Sequence, residues 1–295
     1  MAEILLLCVA MVWGTSYGLA KQALFYYPVL GFLAVRFCLT AILLAPAAWR
    51  DLRQYPGTSL RVGVPLGVML LGIFLCETYG VAQTTASNAA FLISLCVVMT
   101  PFAEWVLLGQ RPPRAAFIAA CASVAGAMLL TDTWHVGLNT GDMLMLGAAV
   151  LRATLVCMTK RLVANKPIST LGLTGIQTGL LGIGCLILAA SLPGQLPALP
   201  RAPAFWLITL YLVLACTLFA FFAQTWGIRR CGPTRATLLV SSEPLFGALF
   251  AMVWLGETLS AQGAVGGLLI LGASIWAALP KRPAGAALKG AAASA

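Results

Sequence analysis

A chain of 295 residues that is 61% hydrophobic and only 9% charged lies far from soluble domains, in which about a quarter of residues carry charge. This composition excludes a water-soluble globular protein and predicts an integral membrane protein. The formal net charge of +10 is scattered over short segments between apolar runs, so it reads as membrane orientation and not as a nucleic-acid surface.

Ten apolar runs of roughly bilayer-spanning length occupy nearly the whole chain. They are apolar all round, which predicts an all-α polytopic protein; barrel strands would alternate. Run 1, about 4–20, begins too early for the basic leader of a signal peptide and is interrupted by small and polar groups from Trp13 to Gly18. Run 2, about 29–49, holds Arg36, with Pro46 near its end. Run 3, about 64–82, holds Glu77, and a polar turn over 83–88 leads into run 4, which reaches Leu108 with Thr100, Pro101 and Glu104 inside. Run 5 fills about 115–130, and the loop 132–141, with the single histidine His135, separates two halves. Run 6, about 142–159, carries Arg152; run 7 covers about 168–190, a proline-rich loop follows, and run 8 covers about 205–227. Run 9, about 233–256, has Ser241, Ser242, Glu243 and Pro244 in its middle, and run 10 covers about 261–279. The tail 281–295 is small and basic, which predicts disorder.

Orientation follows from the cations. Segments after runs 2, 4, 6 and 8 hold Arg50, Arg53, Arg61, Arg111, Arg114, Lys160, Arg161, Lys166, Arg229, Arg230 and Arg235, whereas those after the odd-numbered runs offer only Lys21 and Arg201. The positive-inside rule then places both termini in the cytoplasm.

The chain also repeats itself. A shift of 147 positions lays Thr234 to Glu257 on Ser87 to Gln110, matching Ser241 with Ser94 and Gly256 with Gly109, and a shift of 139 lays run 6 on run 1, matching Lys160 with Lys21. Halves of five helices each, 1–131 and 142–280, must be inverted relative to one another, an architecture in which secondary transporters hold a midplane site between repeats.

The segments WGTSYGLAK, the VRF around Arg36, TTASNAAFLISL and SSEPLFGALFAMVWLGE resemble the EamA-type members of the drug/metabolite transporter superfamily. The most specific element is the pattern of Glu243, Pro244, Gly256 and Glu257; the first half departs from it, with Val97 and Gln110 at the matching positions. The resemblance implies ten helices in two inverted repeats and export of metabolites across a bacterial inner membrane, with the amino-acid exporters, aromatic ones included, nearest. Drugs and nucleosides are the alternative cargo on the same scaffold.

Charges inside hydrocarbon cost about 2.5 to 3.5 kcal/mol each on insertion scales, so Arg36, Glu77, Glu104, Arg152 and Glu243 are either packing pairs or a site. At about 1.5 Å per residue, Arg152 and Glu243 share a depth of about 12 to 15 Å from the basic side, which predicts a contact between halves; Arg36 and Glu77 form the mirrored candidate pair. The candidate substrate-binding set is Trp13, Tyr79, Asn88, Phe91, Ser94, Arg152, Ser241, Ser242 and Glu243, in a cavity between runs 1, 3, 4, 6, 8 and 9. Pro101 and Pro244 are candidate gating positions, because proline removes a backbone hydrogen bond and kinks a helix. Nine cysteines without a C-x-x-C spacing predict neither metal nor disulfide, and no cofactor is expected. A membrane enzyme is disfavoured by the lack of a catalytic motif. The expected partners are a small-molecule substrate and the bilayer; a proton carried by Glu243 or Glu77 is a candidate coupling ion, and uniport, exchange, monomer and dimer all stay open.

Overall fold

A computed structural model describes residues 2–84, 86–131, 139–255 and 260–278. His135, Gly256, Glu257 and the tail 281–295 lie outside the described residues, as does the side chain of Asn88.

The described chain is helical: α1 (Ala2–Gly14), α2 (Ser16–Ala23), α3 (Val29–Gln54), α4 (Pro56–Gln83), α5 (Ala86–Ser94), α6 (Cys96–Leu108), α7 (Arg114–Thr131), α8 (Thr140–Val163), α9 (Thr170–Ser191), α10 (Pro203–Val213), a π-turn (Leu214–Phe219), α11 (Ala220–Cys231), α12 (Pro233–Val240), α13 (Glu243–Leu255) and α14 (Ala261–Ala278). Among the described residues seven helical stretches are long and apolar enough to cross a membrane, and the shorter apolar helices Arg114–Leu129 and Ala261–Trp276 follow the same composition. Side chains such as Ile42, Val68, Ile187 and Leu207 stand exposed, as a lipid-facing surface needs.

Local chemistry sets the ends. Pro56 starts α4 at a position whose N–H would be unpaired anyway, eight residues before the apolar pattern alone suggested, so Arg61 lies inside the helix. Gly109 stops α6 in the left-handed region at φ 67°. A reciprocal capping box between Asn139 and Asp142 starts α8. Pro46 lies inside α3 and the helix runs on to Gln54.

Four of the sequence runs are interrupted. Thr15 separates α1 from α2, Leu95 separates α5 from α6, the π-turn joins α10 to α11, and Ser241 with Ser242 separates α12 from α13. The last break lies in the turn before Pro244, where the missing N–H and the ring clash with the carbonyl four residues back fall. Pro244 therefore sits in the first turn of α13, not in mid-helix as the apolar run suggested.

Two faces are tied by polar contacts. On the basic face Lys160 Nζ donates to the Arg229 carbonyl at 2.9 Å, Ser169 donates its N–H and hydroxyl to Asp51 at 2.8 Å, Arg235 pairs with Glu3 at 3.1 Å, and Thr234 donates to Glu104. On the opposite face Lys21 Nζ donates to the Thr84 carbonyl at 2.7 Å, Thr84 donates to Asp142 at 2.7 Å and the Tyr27 hydroxyl donates to the Pro197 carbonyl at 2.8 Å. Glu104 thus holds the start of α12. Arg53, Arg111 and Arg230 lie over Trp49, Trp105 and Trp226 on the basic face, where amphipathic rings and cations share a membrane interface. Between the faces α3 packs most extensively on α9, α7 on α14 and α4 on α8.

Candidate functional site

Arg152 projects from the middle of α8 between two carboxylates. Its Nη2 lies 3.2 Å from Glu77 Oε1 and its Nη1 lies 3.6 Å from Glu243 Oε2. The guanidinium carbon stands 4.8 Å from the centre of the Trp13 ring. These are electrostatic contacts with poor hydrogen-bond alignment: Glu77 Oε1 and Glu243 Oε1 accept no hydrogen bond, although both residues are buried. Buried carboxylates are nearly always paired or hydrogen-bonded, and here Arg152 is the cation that both share.

The π-turn builds the other wall. Its wider helical turn frees backbone groups from the regular ladder, and Trp13 Nε1 donates to the Cys216 carbonyl at 2.8 Å. Thr217 Oγ1 accepts from Arg36 Nε at 3.1 Å and from Nη2 at 2.9 Å. Arg36 also lies 5.0 Å from the Phe37 ring centre and 5.4 Å from that of Phe74. This corrects the expected Arg36–Glu77 pair. The two line one cavity, but Glu77 pairs with Arg152, and Arg36 takes a hydroxyl and two rings instead. The expected Arg152–Glu243 contact is present. Two arginines and two glutamates therefore balance to zero within one buried cluster.

Three small cavities meet at this cluster, of about 30, 40 and 20 Å³, each near the size that holds a water or two. Trp13 and Arg152 line all three. The 40 Å³ cavity runs past Ser16, Tyr17 and Thr78 towards the face where α2 and α4 end, and the 30 Å³ cavity runs past Thr159, Gln177 and Thr225 towards the basic face. The third lies against Ser94, Ser241, Glu243 and Pro244. Trp13 and Arg152 thus form a partition between two narrow vestibules, bounded mainly by the helices the sequence pointed to, with Arg36 and Gln177 added from α3 and α9.

Other expected site residues fall less centrally. Ser94 and Ser241 line the third cavity while their hydroxyls donate to carbonyls of their own helices at 2.6 and 2.7 Å, and Ser241 also meets Ser123 of α7 at 2.8 Å. Ser242 bonds back to Leu239 at 2.8 Å and lines none of the three. Tyr79 and Phe91 are half-buried and line none of these cavities, Phe91 packing against the apolar cluster that includes Tyr17 and Leu92. Pro101 is buried within α6, and Pro244 lines the third of these cavities. Sequence reasoning missed Tyr17, which faces the Glu243 carboxylate, along with Gln177, Gln224 and Thr217. The carboxamides carried a usable signal, being polar groups inside apolar runs. Among the described residues no cluster of three His, Cys, Asp or Glu side chains suits a metal.

Residues 1–132 and 139–279 match the EamA-like transporter family. The chain belongs to that family. Two proteins of Archaeoglobus fulgidus, each called an uncharacterized transporter, are similar to it: one is 25% identical over 92% of this chain and 83% of its own length, the other 26% identical over 91% and 94%. The uncharacterized transporter YwfM of Bacillus subtilis is 23% identical over 95% of both chains. A crystal structure shares the fold, with a TM-score of 0.76 at 18% identity over 94% of this chain and 96% of the other. This EamA-like chain is accordingly a multi-pass membrane transporter.

One close approach in the EamA-like fold positions the site. A Cβ at Gly14 would stand 2.7 Å from the Glu243 carbonyl oxygen and 2.7 Å from the Gly247 nitrogen. Backbone contact at the break after α1 is what brings Trp13 and Glu243 to the same guanidinium.

Proposed function

We propose that this transporter exports small zwitterionic metabolites, neutral or aromatic amino acids first among them, across the bacterial inner membrane by alternating access. The observation that carries the reading is the buried, charge-balanced cluster of Arg36, Glu77, Arg152 and Glu243 at a Trp13 partition between two vestibules. A substrate carboxylate can take Arg152 while its ammonium takes Glu77 or Glu243, so that binding loosens the contact between helices from the two halves. Apolar walls such as Ile73, Phe74 and Phe221 suit an apolar or aromatic side chain. Counterflow in proteoliposomes tests it: labelled phenylalanine or threonine should exchange with saturation against unlabelled amino acids. Absence of saturable exchange for every amino acid would sink the substrate assignment. In the same vesicles an imposed pH gradient accelerates efflux only if protons are exchanged.

Ten spans in two inverted repeats, 1–131 and 142–280, joined by the loop 132–141 and with both termini cytoplasmic, complete the reading. The breaks at Leu95 and Ser242 coincide under the 147-residue shift between Ser94 and Ser241. Helix α3 packs on α9, and α7 on α14, which are the pairings that equivalent helices make across an internal two-fold axis. Pro101 and Pro244 are the proposed bending points of the moving helices.

Lys21 and Lys160, matched by the internal repeat, each hold the turn on their own face. Loss of one such charge-assisted bond shifts a two-state equilibrium about tenfold. In a cysteine-free background, Lys21→Ala is expected to raise labelling of a Thr78→Cys reporter from outside, and Lys160→Ala that of a Thr225→Cys reporter from inside. Equal effects of both variants on both reporters would count against mirrored gates.

A further inference from the structure

The vestibule between the Trp13–Arg152 partition and the basic face carries polar groups that the charged cluster does not use. Gln177 of α9 is 6% exposed and lines this cavity together with Gln224 of α11, Thr159 of α8 and Thr225 of α11. Among the described residues the two carboxamides and the two threonine hydroxyls have no hydrogen-bond partner, unlike Thr174 and Thr178 on α9, which bond to their own helix at 2.9 Å. Side chains that served packing alone in an apolar helix would bond back to the backbone in this way or be aliphatic. Gln224 also borders the third cavity, beside Glu243, so the polar patch is continuous with the charged one.

We propose that Gln177 and Gln224 form a specificity subsite that hydrogen-bonds the uncharged polar end of the substrate, a hydroxyl or carboxamide, while its charged end sits at Arg152, Glu77 and Glu243. The charged end rests on the zwitterion reading above; the subsite rests on its own unpaired groups. Each carboxamide offers both a donor and an acceptor, so a hydroxyl or amide is met in either sense. A carboxylate or ammonium would satisfy only half of what the pair presents. Between the two ends the wall is formed by Leu70, Phe74 and Phe221, which sets an apolar spacer between a zwitterionic head and a polar tip. The cavity of about 30 Å³ is too small for such a molecule, so the subsite operates when the helices part at the basic face.

The experiment compares half-inhibitory concentrations in counterflow for pairs that differ in one polar group: tyrosine and phenylalanine, threonine and valine, uridine and 2′-deoxyuridine. The wild type is expected to favour the polar member of an accepted pair about tenfold, the discrimination of one net hydrogen bond that would otherwise be left unmade. Gln177→Leu and Gln224→Leu should each bring that ratio near one, with the apolar member's value moved less than about twofold. Gln177→Asn keeps the amide and shortens its reach, so it should lower the ratio even if a leucine variant fails to insert. A wild-type ratio near one, or a ratio unchanged in all three variants, overturns the subsite. Should no amino acid compete while the nucleosides do, the amino-acid reading fails, and the subsite is judged on the uridine pair by the same ratios.

Discussion

Arg152→Ala abolishes counterflow and destabilises the protein by about 3 to 5 kcal/mol, the cost of removing one partner from a buried ion pair. The magnitude follows from what remains: Glu77 and Glu243 stay buried, without the one guanidinium that lies 3.2 and 3.6 Å from them. Arg152→Lys does not rescue, because a single ammonium cannot spread over two carboxylates and lie on the Trp13 ring as a planar guanidinium does. Two measurements check this, the melting temperature of the detergent-solubilised protein and the initial rate of exchange. In a double-mutant cycle, Glu243→Gln costs much less in the Arg152→Ala background than in the wild type, since it then removes an unpaired charge. An Arg152→Ala protein that melts like the wild type and transports at its rate would show that the cluster neither holds the helices nor binds cargo.

Gly14→Ala leaves membrane insertion intact and reduces transport by at least about a hundredfold, the scale on which a misplacement of about 1 Å costs catalytic geometry. The added carbon would meet backbone atoms of α13, the Glu243 oxygen and the Gly247 nitrogen both at 2.7 Å, and backbone in a packed helix cannot turn aside as a side chain can. The helices must separate instead, taking Trp13 away from Arg152 on one side and Glu243 on the other. Gly18→Ala is the matched control, four residues along the same run, because nothing stands within 4 Å of a Cβ built there. Its transport rate should stay close to the wild type, and equal loss in both variants would remove the close approach as the cause.

These two positions had different visibility in the sequence. Arg152 stood out because a charge in an apolar run is costly and few were present. Gly14 was one small residue among several in an interrupted run, and only its distance to Glu243 shows why a side chain is excluded. Tyr79 and Phe91 were expected in the cavity from their height alone, and neither lines the three cavities at the Arg152 cluster. Gln177 and Gln224 were passed over because the cost of a neutral amide in a helix is smaller than that of a charge, although the same reasoning applies to them.

Composition and apolar runs were enough to establish a helical membrane protein and the height of each buried charge along its own helix, because height along a helix is a one-dimensional quantity that accrues at about 1.5 Å per residue. That is why the Arg152–Glu243 contact could be read in advance. Tertiary structure alone decided how the remaining charges pair. Arg36, Glu77 and Arg152 compete at overlapping depths, and the outcome depends on which way each side chain points around its helix and on a register change at the π-turn. That turn presents Thr217 to Arg36 and the Cys216 carbonyl to Trp13, and so leaves Glu77 to Arg152. Direction around a helix is set by packing against several neighbours at once, a quantity that no single run of residues contains.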